Sequence, residues 1–321
     1  MSEIWSAAYT AKKGDVVLYM WRKHEGTPIG AAPRPVLFLV HGSSFSGPSG
    51  FDLAVPGHDD YSLMDAFARR GYDVWTVDHE GYGRSGWREG YRATIKDGVD
   101  DLRAAMAVVR EQTGLESCFF YGQSSGALRL ASFAAACPES CARIVLDAFV
   151  WTGEGAPTLI ERRRKLDQWT GSNARPVNRA FYHSIFNRDL PGTSDPAVPD
   201  ALADAELKLC DKVPTGTYAE MCANLPTVDP LDVVCPTLIL RGEHDGIATE
   251  EDLYAFFTRL PNTDKQFSII EGQAHVSPLG LNRRRFWHVM DGFLKMPARR
   301  DPYLREDRDK IEARRRAGGR A

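Results

Sequence analysis

Residues 117–137 constrain this chain more than any other stretch. Ser117-Cys118-Phe119-Phe120-Tyr121 is a short β-type run, followed by Gly122-Gln123-Ser124-Ser125-Gly126 and a helix-like run from Ala127 to Cys137. A strand that turns into a helix through Gly-x-Ser-x-Gly forces the middle serine into a strained backbone conformation. Glycine is needed on both sides, because a side chain there would collide with the neighbouring strand or helix. The strain lifts the Ser124 hydroxyl above the sheet edge. The helix behind it aims its free N–H groups and positive end at the same spot. An ordinary strand-to-helix connection fits the same residues, so the rest of the chain has to discriminate.

The hydrophobic pattern supplies the frame. Residues 4–12 and 15–24 read as a pair of strands around a Lys-Gly-Asp turn. Val36-Leu37-Phe38-Leu39-Val40 is an uninterrupted apolar run, as a strand buried on both faces requires. A helix is expected over 61–70, a strand over 73–77 and an amphipathic helix over 95–112, with Ile95, Val99, Leu102, Met106 and Val109 on one face. After the 117–137 stretch comes a strand at 143–146. This alternation implies a mostly parallel sheet wrapped by helices. It breaks over 149–230, which reads as an inserted, mainly helical segment. It resumes with strands at 236–240 and 266–270 and helices at about 249–259 and 281–294. The expected organisation is a core in two parts, 1–148 and 231–297, an insertion at 149–230 and a charged tail at 298–321, frayed or disordered.

Bulk properties exclude several classes. The 321 residues, 43% hydrophobic and 26% charged, have the balance of a soluble globular protein. A net charge of −3 gives no electrostatic case for nucleic acid, and no apolar run approaches a membrane span. Met1-Ser2-Glu3-Ile4-Trp5 has neither a basic n-region nor an apolar h-region, so no signal peptide is read and a cytoplasmic location is expected. The six cysteines fit no zinc or redox spacing and read as reduced thiols. The histidines are scattered. No metal and no cofactor are expected; the expected partner is a small molecule, and homo-oligomerisation is left open.

A serine hydroxyl becomes a useful nucleophile when a base takes its proton, usually a histidine held by a carboxylate. In an open α/β sheet such groups belong at the carboxyl ends of strands. After the 236–240 strand comes Arg241-Gly242-Glu243-His244-Asp245, and after the 266–270 strand comes Glu271-Gly272-Gln273-Ala274-His275. The candidates therefore run in the order Ser124, Asp245, His275.

With these turns the sequence resembles the α/β-hydrolase superfamily, whose order is nucleophile, acid, histidine. Gly242-x-x-Asp245 is similar to the acid loop and Gly272-x-x-His275 to the histidine loop. His41-Gly42 followed by small residues is similar to the oxyanion loop. Asp78-x-x-Gly81-x-Gly83-x-Ser85 matches a recurrent family turn, with Glu80 standing where arginine is frequent and altering the charge near the pocket. The resemblance covers about 15–148 and 231–295 and makes 149–230 the position of the variable cap. It implies an α/β-hydrolase fold, Ser124 as nucleophile, His275 as base, Asp245 as its partner, and the backbone N–H groups of Ser43 and Ser125 as oxyanion donors. Asp147 and Glu243 are alternative acids, and His244 is a rival base. His41 is expected to tie down the oxyanion loop. Related dehalogenases and epoxide hydrolases need a carboxylate where Ser124 stands.

The resemblance implies a serine hydrolase cleaving a carboxylic ester or similar acyl compound. Carbon–carbon bond hydrolysis beside a ketone is the alternative, and a ligand-binding or receptor protein on the same fold is a reading from another class. The oxyanion loop lacks a His-Gly-Gly-Gly form, which favours small or medium acyl groups. Phe149 and Trp151 follow a strand end and are candidate substrate contacts, with packing as the competing role. The run Arg162-Arg163-Arg164-Lys165 reads as a solvated helix face, with attraction of an acidic substrate as the alternative.

Overall fold

The computed structural model describes residues 3–297 together with 310 and 313. The tail expected at 298–321 lies outside the described residues except at those two positions. The first part of the chain contributes β1 (Ile4–Lys13), β2 (Val16–Glu25), β3 (Val36–Val40), α1 (Gly47–Phe51), α2 (Leu63–Ala68), β4 (Asp73–Val77), α3 (Ile95–Thr113), β5 (Cys118–Gln123), α4 (Ser125–Ala136) and β6 (Cys141–Asp147). Then come α5 (Pro157–Arg163), α6 (Leu166–Gly171), β7 (Ala174–Pro176), α7 (Arg179–Asn187), α8 (Ala197–Glu206), β8 (Lys212–Pro214) and α9 (Gly216–Ala223). The last part adds β9 (Thr237–Gly242), α10 (Glu250–Arg259), β10 (Lys265–Ile270) and α11 (Arg283–Leu294).

The sheet has eight strands in the order β1-β2-β4-β3-β5-β6-β9-β10. β2 is antiparallel to both β1 and β4, and every other pairing is parallel. This is the α/β-hydrolase fold. Its parallel strands deliver the turns after β3, β5, β9 and β10 to one edge, which is what assembles a site from distant sequence.

Strand alternation sorts the core into two layers. Phe38, Val40, Phe120, Ile144 and Ile239 point to the face covered by α3, α4 and α10, where they meet Leu102, Leu128 and Phe256. Leu37, Leu39, Tyr121, Val145 and Leu240 point to the other face, against Phe67 of α2 and Phe286 and Met290 of α11. Burial on both sides explains why β3 is apolar throughout. Helix α3 starts in a reciprocal cap between Thr94 and Asp97 and stops at Gly114, whose φ is 71°. The stripe expected from its spacing is buried.

Two features were not expected from the sequence. The short helix α1 follows the loop after β3, and β7 and β8 form an antiparallel ribbon. Ala-Arg-Pro and Lys-Val-Pro are too short for alternation to register, and proline is a poor strand signal. The 149–230 segment packs in two ways. Leu159 of α5 and Tyr218 and Met221 of α9 join the core shared with α3 and α4. Tyr182, Ile185, Leu202 and Val213 form a separate cluster around Phe45 and Tyr82, which lie on the loops after β3 and β4. No helix among the described residues is long and apolar enough to cross a membrane.

Candidate active site

Ser124 sits between β5 and α4 at φ 57° and ψ −126°. A Cβ on Gly126 would lie 2.2 Å from the Val40 carbonyl oxygen, and one on Gly122 would lie 2.7 Å from that of Gly126. Backbone atoms cannot step aside, so both flanking positions must be glycine. Ser125 opens α4, so its N–H has no acceptor within the helix.

The Ser124 hydroxyl lies 3.1 Å from Nε2 of His275, whose Nδ1 lies 2.9 Å from Oδ1 of Asp245. Ser124, His275 and Asp245 are 8%, 6% and 1% exposed, so the series is shielded while its serine still reaches a cavity. Burial pushes the Asp245 carboxyl up, but the His275 ring, the charge of Arg188 and the Ile247 N–H together hold it below its ordinary value. Gly242 lets the two turns touch, since a Cβ there would meet the Ala274 carbonyl at 2.4 Å. The His244 N–H donates to the Gln273 carbonyl at 2.9 Å and pins one turn to the other.

The loop after β3 is held from several sides. Nε2 of His41 accepts the His79 N–H at 2.9 Å, which leaves its Nδ1–H to donate to the Gly42 carbonyl at 2.7 Å. Burial keeps His41 well below the usual histidine pKa, so the ring is neutral. Arg129 donates to the His41 carbonyl at 3.1 Å, and the Ser43 carbonyl accepts Arg175 at 2.7 Å and the Tyr82 hydroxyl at 3.3 Å. With its carbonyl so engaged, Ser43 is fixed beside Ser124 at the cavity.

The competing groups have other partners. Asp147 accepts the Tyr121 hydroxyl at 2.7 Å and the Ser277 hydroxyl at 3.1 Å, and bonds to neither ring nitrogen of His275. Glu243 accepts the Gly272 N–H at 2.8 Å, and the His244 ring lies beside Glu243. Glu80 does not bring free charge to the pocket: it is buried between Lys13 at 2.7 Å and Arg88 at 2.8 Å.

Phe149 and Trp151 do not line the cavity at Ser124. Phe149 is 0% exposed and packs against Phe256 of α10, with ring centroids 4.7 Å apart. Trp151 donates from its indole to the Val228 carbonyl at 3.2 Å, while Asp252 accepts its backbone N–H at 2.9 Å. Asp252, on α10, thereby turns the strand-end residues toward the core and away from the serine.

The Arg162 to Lys165 run is likewise not a uniformly solvated face. Arg164 pairs with Glu161 outside, but Arg162 lines the cavity with Ser124 and His275. Its guanidinium stacks 4.2 Å from the Tyr218 ring, with Arg175 on the same ring at 4.1 Å. Arg188, at the end of α7, also lines the cavity and forms a two-point pair with Asp189 at 3.0 and 2.9 Å. Asp189 lies within 4.8 Å of ligand atoms of Asp245 and His275. Arg188, Asp189 and Tyr218 carry no sequence signal, because only the packing of α5, α7 and α9 brings them to the strand edge.

Comparison with known proteins follows the same line. No curated protein matches the sequence. Among solved structures, the 2-hydroxy-6-oxo-6-phenylhexa-2,4-dienoate hydrolase of Rhodococcus sp. strain RHA1 aligns with 91% of this chain and 100% of its own, at 16% identity and a TM-score of 0.65. A thermophilic esterase from Thermogutta terrifontis covers 91% and 98%, at 18% identity and 0.63. Carboxylesterase CesB of Bacillus subtilis covers 92% and 93%, at 16% identity and 0.62. At these identities the likeness is one of fold. The sequence itself matches a family profile described as serine aminopeptidase, S33, over residues 59–277. That match spans more than half of the chain, which therefore belongs to the serine aminopeptidase S33 family of α/β-hydrolases.

Proposed function

We propose that the protein is a serine hydrolase that cleaves a carboxylic ester or related acyl compound through an acyl-enzyme on Ser124. The observation that carries this reading is the hydrogen-bonded series Ser124–His275–Asp245, at 3.1 and 2.9 Å. Ser124 Oγ attacks the acyl carbon while His275 Nε2 takes its proton. Asp245 holds the Nδ1–H and stabilises the imidazolium. The oxyanion meets the N–H groups of Ser125 and Ser43, each such donor typically being worth about 10²–10³ in rate. His275 then protonates the departing alkoxide. Water attacks the acyl-enzyme, giving its proton to His275, and the acid leaves as Ser124 recovers its hydrogen.

Residues 149–230 act in this reading as a cap over the site, contributing Arg162, Ile185 and Arg188 to the cavity wall. The family description names an aminopeptidase, whose substrate presents a protonated amine. Guanidinium groups in the wall oppose such a substrate, which favours an ester over a peptide amino terminus. The test is hydrolysis of short p-nitrophenyl esters together with labelling by a fluorophosphonate. Turnover and labelling are expected in the parent and absent in Ser124→Ala. Equal turnover in that variant would remove Ser124 from the chemistry.

A further inference from the structure

The space beside Ser124 is about 20 Å³, room for roughly one water. A second cavity of about 290 Å³ opens between α5, α6 and α7, lined in part by Lys165 and Trp169. Arg162 and Arg188 border both spaces, so their side chains form the partition between the outer cavity and the serine.

The charges at this partition do not balance internally. Arg188 is paired with Asp189, Arg175 donates to the Ser43 carbonyl, Asp245 holds His275, and Glu161 pairs with Arg164. Arg162 has no ion-pair partner among the described residues, and its Nη1 is buried without a hydrogen bond. Its neighbours are the Tyr218 ring and the like charge of Arg175, which lies 4.1 Å from the same ring. Two guanidinium groups share this one ring, so the cluster stays net positive even when the phenol is ionised, and a guanidinium nitrogen that has lost water without gaining a hydrogen bond is costly. Arginine offers planar, two-point recognition that suits a carboxylate.

We propose that Arg162 and Arg188 form an anion subsite, so that the substrate is an acyl compound bearing a carboxylate a few atoms from the bond that Ser124 cleaves. The carboxylate enters through the outer cavity, engages the Arg162 guanidinium and draws the partition open toward the serine. This inference rests on the proposed ester chemistry at Ser124, and its test separates the two.

Monoethyl adipate and ethyl hexanoate differ at the far end by a carboxylate. Ethanol release from each is followed for the parent, Arg162→Gln, Arg162→Lys and Arg188→Gln. The parent is expected to favour monoethyl adipate in kcat/KM by about tenfold or more. Arg162→Gln is expected to lose about 10–100-fold on that ester, mainly through KM, and to lose less on ethyl hexanoate, so that the preference between the two esters falls. Arg188→Gln shifts the same ratio in the same direction, and Arg162→Lys retains part of the preference. Equal losses on the two esters, or a parent preference for ethyl hexanoate, would overturn the subsite. If neither ester is cleaved, the ester reading fails, and thermal unfolding with added adipate judges the subsite alone. A saturable rise in Tm in the parent that is lost in Arg162→Gln supports it; no rise in the parent overturns it.

Discussion

Asp245 and His275 are joined by a 2.9 Å hydrogen bond between Oδ1 and Nδ1, made across the turns that follow β9 and β10. Asp147 also ends a strand, but its oxygens are committed to Tyr121 and Ser277. An asparagine at 245 can present its amide to the ring and stabilise the wrong tautomer. Asp245→Asn is therefore expected to lower kcat on p-nitrophenyl esters by about 10⁴. Asp147→Asn is expected to lower it by less than about tenfold, since Asp147 is outside hydrogen-bond reach of the ring. The opposite ranking would transfer the acid role to Asp147.

The glycines of the β5–α4 turn make a stability prediction with an internal control. Gly126→Ala puts a Cβ 2.2 Å from the Val40 carbonyl oxygen, where only a backbone shift can make room. It is expected to cost about 3 kcal/mol or more, or to prevent folding. Gly292 lies in α11 with nothing near its missing side chain. Gly292→Ala is expected to stabilise by about 0.5–1 kcal/mol through a smaller loss of chain entropy. Urea unfolding of the two variants checks the contrast.

Those same glycines explain what could be read in advance. A turn that tolerates only glycine, or a strand buried on both faces, leaves its mark in consecutive residues, so Ser124, Asp245 and His275 were legible from the strands they follow. Arg162 was not. Its local pattern is that of a charged helix end, and it turns inward because Tyr218, from a helix more than fifty residues later, offers it a ring face. Phe149 and Trp151 failed for a similar reason. Their direction is fixed by Asp252 on α10 and by the Val228 carbonyl, contacts that no local periodicity encodes.

Asp147 also carries a pH prediction. Burial, with the nearby charge of Asp245, pushes its carboxyl up to about 7 despite the Tyr121 and Ser277 hydrogen bonds. The unfolded value is near 4. Protonation therefore favours the folded state. The contribution is fully present below about pH 4 and lost as pH rises through 7. Asp78, likewise buried and raised to about 7, acts in the same direction. Asp147→Asn removes one of the two. Its stability relative to the parent is expected to rise between pH 4 and 8, by an amount on the order of a few kcal/mol. Urea titrations at several pH values measure that difference, and a flat difference would mean that Asp147 does not titrate in this window.

Tyr218 reports directly on the guanidinium cluster. Burial pushes its phenol up, but Arg162 and Arg175, with the Ser44 hydroxyl and Arg188, bring it down to about 7. The Arg162 guanidinium lies 4.2 Å from this ring, so it acts directly on the ionised form of the phenol. A near-ultraviolet titration is expected to show one tyrosinate forming with a midpoint near pH 7, and Tyr218→Phe to abolish that step. A carboxylate bound to Arg162 and Arg188 would take over the positive field that stabilises the phenolate. Adipate is therefore expected to move the midpoint upward, and Arg162→Gln to raise it without any ligand and to remove the response to adipate. A midpoint near 10 in the parent would mean that the arginines do not act on this ring. A midpoint near 7 that ignores adipate would confine their action to Tyr218.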